Sequence, residues 1–548
     1  MKRYFAWGLL ILCSAFSTAV FAHEDRANMP PPDPAYVYGE QLGSVTVPFA
    51  CSDAAAGSAR RGLALLHHMT YVGARAAFVD TASSDPECAM GFWGQAMSYI
   101  HPLWSDPPGQ GDFEKGQALV AEAAKRAKTD REMAYIDAVK FYYDQGRHPT
   151  EKANLSAFAE GWRKVYERFP EDLEGVAFYA LAHLATANPA DKSYAVQKRS
   201  AAIAKQVLQR NPGHPGAHHY TIHALDYPPL AEQALEVARS YGRIAPEVPH
   251  ALHMPAHIFT RLGLWPESID MNRRSADAAL KHPANGKISL HYLHALDYLA
   301  YAYLQRGEDG KAQTVLDELM ALKGPYQTHV ASAYTFAAVP ARLALERQQW
   351  AVAVTLKPQT PSNYPWQINP AMEAITFFAN GLGAAHTGDT VGASRAIDRL
   401  AVLKEKAAKS SDYWAKQIEV QRLTVAAWSV YGQGKKQAGL TIMRRAAAME
   451  ATTEKHPVTP GEVLPAQELL ADMLFDLGRY EDALVNYQAA LKRSPNRLNS
   501  LYGAGRSAEL AGHKDAAVSY FQKLLKISAA DSGVKRLQEA RSFLETGR

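Results

Sequence analysis

The chain has 548 residues, with 59 Lys and Arg against 55 Asp and Glu, 20 His and three Cys. A hydrophobic content of 47% and a charged content of 21% exclude a disordered or collagen-like chain. A net charge of +4 is too small at this size to make nucleic acid the expected partner. The length admits roughly two to four domains, or one long repeat array.

Lys2 and Arg3 precede an apolar run from Phe5 to Val20, which ends in Val20-Phe21-Ala22. This is the layout of a secretory leader over residues 1–22, cleaved before His23. Cys13 would suit a lipidated leader, but Leu12 is larger than the small residue that normally precedes a lipidated Cys. No later stretch has about 18 uninterrupted apolar residues, so no stable membrane insertion is expected. The mature protein is expected in the periplasm or outside the cell. Cleavage leaves Cys51 and Cys88, which in an oxidising compartment form one disulfide or stay as two buried thiols. It also makes His23 the N-terminal residue, whose amine and imidazole would chelate copper if another His joined. Met29 to Pro34 holds four prolines and reads as an extended linker within a Pro-rich segment, residues 23–48.

From residue 49 onward the sequence is all-α in pattern. Ala- and Leu-rich segments carry apolar residues at i, i+3, i+4 and i+7, separated by short Gly/Pro/Asn/Asp turns. The end of the chain is self-similar. Gly478 and Gly512, Ala483 and Ala517, and Tyr487 and Phe521 are each 34 residues apart, and Pro495 closes the first unit. Small residues at a helix crossing, an aromatic in the second helix and a terminal Pro resemble the tetratricopeptide repeat (TPR). That resemblance implies an α-solenoid of stacked antiparallel helix pairs, because one pair alone cannot bury its apolar face.

The frame carries back through the chain. Ala74, Phe78 and Pro86 fit an early unit, Pro212 and Pro246 are again 34 apart, and Gly263 with Trp265 fits the unit after them. Gly307 with Ala312 fits another, after an insertion around Ala284 to Leu290, and weaker units surround Trp350 and Gly388. Pro361 to Pro370 reads as an internal break. The expected organisation is a His-rich array over 49–360, degenerate helical repeats over 361–455 and a C-terminal TPR pair over 456–548. The stretches His218 to Tyr227 and His250 to Phe259 also resemble a group of secreted bacterial TPR-like proteins with no settled function, which lends fold and compartment only.

Ten of the 20 His lie between His214 and His294, so the functional question concentrates there. The TPR resemblance implies that positions 2, 5, 9, 12 and 13 of each first helix face the concave groove. His219 and His223 then stand at positions 5 and 9 of one unit, and His253 and His257 at the same positions of the next. His250 and His294 stand at position 2 of their units, with Asp297 and Tyr301 at positions 5 and 9 of the last. Residues four apart share a helix face, and packed helices lie about 8–10 Å apart. The four imidazoles are therefore expected to converge on one point, with Asp226, Asp297, His250 or His294 as further ligands or outer partners. Neutral imidazoles with a nearby carboxylate suit Zn, Cu or Fe. Prolines cut across the frame in two places. Pro228-Pro229 truncates one helix after Tyr227, and Pro255 falls where helix interior is expected, which suggests that the second helix starts late, at Pro255.

His67-His68, His101, Trp93 and Trp104 read as packing, and His183 falls at a packing position. No phosphate loop, nucleophile elbow or His-Glu-x-x-His is present. Three functions remain open: a metal or small-ligand binding groove, a groove or scaffold that holds a protein segment, and a metal-dependent enzyme. In the enzyme, Asp226 or Asp297 would be the general base, Arg261 would hold an anionic substrate and Tyr301 would donate a hydrogen bond.

Overall fold

A computed structural model describes residues 38–104, 106–144 and 150–546. The expected leader, His23 and the Met29–Pro34 linker lie outside these residues. Among the described residues there are twenty-five α-helices and no strand, only isolated bridges such as Ala284 with Lys287 and Ile288 with Tyr326 in the expected insertion. None of those helices is long and apolar enough to cross a membrane.

The C-terminal repeats show why the chain stacks. Helix Tyr480–Arg493 buries Ala483, Leu484, Tyr487 and Ala490, and helix Lys514–Ile527 buries Ala517, Phe521 and Leu524. Each is a single narrow stripe that needs a neighbour to cover it. The neighbours make room by carrying glycine. A Cβ on Gly503 would lie 2.3 Å from the Tyr487 ring, and one on Gly505 would lie 2.5 Å from that of Phe521. Gly478 and Gly512 have φ of 71° and 83°, the left-handed turn that reverses the chain between paired helices.

Buried apolar side chains form two large clusters. One runs from Tyr38 to Ala278 and takes in Tyr298; the other runs from Ala276 to Phe543. They interleave at helices Trp265–Lys281 and Leu290–Gln305. The second cluster continues unbroken across 361–370, so the core changes hands at those two helices and not at that Pro-rich stretch. The solenoid also closes on itself. Trp265 donates to the Asn496 carbonyl at 3.0 Å, and Ala529 N donates to the Arg306 carbonyl at 2.9 Å. Arg497, fully buried, pairs with Glu346 at 2.9 Å and Glu468 at 2.8 Å. At the other end, residues 38–50 run along the helices and dock through backbone donors. Thr46 N reaches Glu174 and Ala50 N reaches Glu132, both at 2.7 Å. Cys51 and Cys88 form a disulfide that ties this segment to the start of helix Ala89–Met97.

Ala483 and Ala517 have no exposed surface. Ala517→Trp should overpack its crossing and lower the unfolding free energy by about 1–3 kcal/mol in urea titration, with histidine-region properties unchanged.

Candidate metal centre

Three helices supply the imidazoles. Helix Pro215–Leu225 carries His219 and His223, helix Pro249–Leu262 carries His250, His253 and His257, and helix Leu290–Gln305 carries His294. Pro215 and Pro249 each open their helix at the first turn, where a missing N–H costs nothing. The second helix therefore starts at Pro249 and not at Pro255, which lies inside it and removes only the bond to the Ala251 carbonyl. His250 and His253 are helical as a result, and the 34-residue register with His219 and His223 holds.

The four imidazoles do not share one centre. They divide into two groups of three, each completed by a position-2 histidine of the next unit. His219, His223 and His250 make one, and His253, His257 and His294 the other, with ligand atoms within 4.8 Å of one another in each group. The groups are copies. Ring centroids in the first are 4.8, 4.9 and 6.4 Å apart, and in the second 4.8, 4.3 and 6.3 Å.

In the second group the proton positions are fixed by partners. Nδ1 of His257 donates to Asp226 Oδ2 at 2.9 Å. Nδ1 of His253 donates to Asn272 Oδ1 at 2.7 Å, and that amide is oriented by its own NH2, which donates to the Ser268 carbonyl at 2.7 Å. Both Nδ1–H groups are thus committed, and both Nε2 atoms present bare lone pairs, 2.9 Å apart. Such a contact repels unless a cation lies between or beside the two nitrogens. Burial pushes all six imidazoles below their usual pKa of 6.5, His219 to about 3, so a proton is a poor cation here. In the first group Nδ1 of His219 donates to the His67 carbonyl at 2.8 Å, and its Nε2 lies 3.1 Å from that of His223. Nitrogens bound to one ion at roughly 2.0–2.1 Å stand roughly 2.9–3.4 Å apart for bond angles between square and tetrahedral. Among the described residues, buried His250 has no partner for either ring nitrogen, and His294 none for Nδ1.

A third group, His67, Glu174 and His214, is satisfied without an ion. His214 Nδ1 accepts from Ala217 N and His67 Nδ1 lies 2.9 Å from the Tyr220 hydroxyl, so each Nε2–H is free to donate to Glu174 Oε2, at 2.8 Å from His67 and 3.2 Å from His214. Burial would raise the Glu174 pKa, but the two histidines hold it well below the usual carboxylate range. This group is a hydrogen-bond node that anchors Thr46. Of the other aromatic and histidine side chains, His68 meets the Tyr241 hydroxyl at 2.9 Å and the Leu42 carbonyl at 3.1 Å, and His101 stacks on Tyr71 and reaches Asp106. His183 packs beside Tyr179.

Asp226 caps the C-terminus of helix Pro215–Leu225 and accepts from three donors: His257, Arg261 Nε at 2.8 Å and Lys455 Nζ at 3.1 Å. Burial opposes its charge, yet Lys455 and Arg261 hold its pKa well below the usual range. It is an outer partner of an imidazole, held in place by two buried cations. Arg261 is buried against it and is not presented to an anionic ligand. Asp297 belongs to neither triad and is ion-paired to Arg342 at 3.1 Å, though burial raises its pKa to about 6. Tyr301 lies within reach of Arg497 and under Arg342, in the closure of the solenoid. Lys455 belongs to the segment 451–465 between helices Lys436–Glu450 and Ala466–Asp476, which crosses the groove here. Tyr298, on the helix of His294, donates to the Thr459 carbonyl of that segment at 3.0 Å, and Arg342 donates to the Gly461 carbonyl at 2.8 Å. The sequence frame missed Asn272, Tyr298 and Lys455, and nothing local to Lys455 signals its place.

Residues 462–530 match a tetratricopeptide-repeat family model. No curated protein sequence matches the chain. Among solved structures it is similar to the human IFIT1 dimer with m7Gppp-AAAA, at 13% identity over 88% of this chain and 96% of that one, with a TM-score of 0.34. It is also similar to yeast Tom70, at 10% identity over 90% and 95% of the two chains, with a TM-score of 0.33.

The Glu174 node makes an acid-side prediction. Its folded pKa lies below its unfolded one, so its stabilisation is full above about pH 4.5 and is lost as pH falls below that. Glu174→Gln should cost about 1–3 kcal/mol at pH 7 in denaturant titrations and clearly less at pH 3.

Proposed function

We propose that this tetratricopeptide-repeat protein is a periplasmic or extracellular metal-binding protein that holds one transition-metal ion in each of its two histidine triads. The observation that carries the reading is the His253–His257 pair: two buried nitrogens with their lone pairs face to face, both rings pinned by acceptors on the far side. An imidazole-only donor set favours Zn, Cu or Fe over Mg or Ca, and the Asp226–His257 contact is the usual outer partner of a metal-bound imidazole. The leader-like N-terminus and the Cys51–Cys88 disulfide support the oxidising compartment. The scaffold is of a kind that binds proteins or other ligands. Beside the triads, however, the chain's own 451–465 segment takes the room a peptide would need, which favours the metal reading over a peptide groove. If the ions are catalytic, they would supply an activated water or dioxygen, while Asp226, Arg261 and Tyr301 are engaged with other side chains.

Elemental analysis of the purified mature chain should find two equivalents of metal. His257→Ala should remove at least one of them together with the metal-dependent rise in melting temperature. His282→Ala, whose ring packs on Tyr38 outside both triads, should change neither. Absence of metal and of any thermal shift with Zn, Cu or Fe would refute the reading.

The pH dependence has a definite sign. Each triad imidazole has a folded pKa below 6.5, so the unfolded state takes up protons first as pH falls. Bound metal should dissociate, and the melting temperature fall, as pH drops below about 6.5.

A further inference from the structure

The two triads are copies in their ring spacing but not in their surroundings. In the triad His253, His257 and His294 every ring is at least nine-tenths buried. One aromatic ring seals it: the centroid of Tyr298 lies 4.7, 5.4 and 5.2 Å from those of His253, His257 and His294. The Tyr298 hydroxyl is held by the crossing segment, and Lys455 of the same segment, with 3% of its side chain exposed, pins Asp226 behind His257. Two of the three imidazoles in this triad are oriented from behind, by Asn272 and Asp226. In the triad His219, His223 and His250 the arrangement is looser. His223 is half-buried, the one member of the six that is. His250 has no hydrogen-bonding partner among the described residues and faces the half-buried Trp104 and His291 at centroid distances of 5.6 and 5.4 Å. Only His219 is fixed from behind, by the His67 carbonyl.

Structural metal sites are closed, whereas reactive ones keep a position open to solvent or substrate. Resting on the metal reading above, we propose that the two ions differ in kind. The triad His253, His257 and His294 holds a locked ion shielded from exchange, and the triad His219, His223 and His250 holds an exchangeable ion whose free position takes a small donor such as water, hydroxide or a small anion. The crossing segment is part of the lock, since it reaches the sealed triad through both Tyr298 and Lys455.

The full mature chain loaded with cobalt(II) would be challenged with excess EDTA, with release followed by absorbance and by metal content. One equivalent should leave quickly and the other roughly tenfold or more slowly, the scale of outer-shell effects on metal affinity. His250→Ala should abolish the fast phase and His294→Ala the slow one. Azide should perturb the cobalt spectrum of the fast-releasing ion alone. Release of both equivalents in a single phase, a fast phase lost in His294→Ala, or azide binding to both ions would overturn the proposal while leaving metal binding intact. Failure to take up cobalt at all would instead sink the metal reading. The wild-type phases and the azide response decide the matter even if a variant does not fold.

Discussion

The carboxylate of Asp226 is the point on which the histidine region depends. It ends one repeat helix, accepts from His257 and Arg261 of the next, and accepts from Lys455, 229 residues further along. A buried carboxylate with one cation would pay a desolvation penalty that a single pair seldom offsets. Here two cations and an imidazole N–H share it, so the charge is fully satisfied and the ring of His257 is fixed in tautomer and angle. That fixes Nε2 as a lone pair aimed at His253, and the chemistry of the site follows from it.

Repetition explains why the triad occurs twice. Positions 5 and 9 of one unit and position 2 of the next lie side by side on adjacent first helices, so a 34-residue period copies the whole constellation. The second copy survives the loop 282–289 because the loop lies outside the helices and only delays the third ligand. The unit before has Gly216 at position 2, and the imidazole of His67 fills that space, its Nδ1 2.3 Å from where a Cβ would be. The ladder ends there, in the hydrogen-bonded node of Glu174.

Much of this was legible in the sequence and part was not, for physical reasons. Helix content, the TPR period, the truncation at Pro228-Pro229 and the grouping of six histidines all follow from local periodicity, which acts over one or two turns. The start of the helix at Pro249 is not legible locally, because Pro255 has the pattern of a breaker, whereas the burial of that helix on nearly every face outweighs one lost hydrogen bond. The division into triads is not legible because the frame places position 2 on the groove, with His250 and His294 as further ligands or outer partners of one centre, whereas side chains there lean toward the preceding unit and each completes a separate group. Arg261, Asp297 and Tyr301 were assigned to a ligand because their acceptors, donors and cover, Asp226, Arg342 and Arg497, are brought near only by the superhelix. Lys455 is the extreme case, since no pattern within a repeat reports on a segment that crosses the groove from the far end of the chain.

The closure through Arg497, Trp265 and Ala529 has a consequence for how the molecule behaves as a machine part. In an open stack of repeats each unit feels only its neighbours, stability is close to a sum along a line, and ends fray independently. Here a buried arginine ties residue 346 to residue 468, and the last helices are bonded to a turn near residue 306. Those chords turn a spring into a closed frame. Strain applied at the C-terminal end would then reach helices Trp265–Lys281 and Leu290–Gln305 directly rather than be dissipated by flexing along the array.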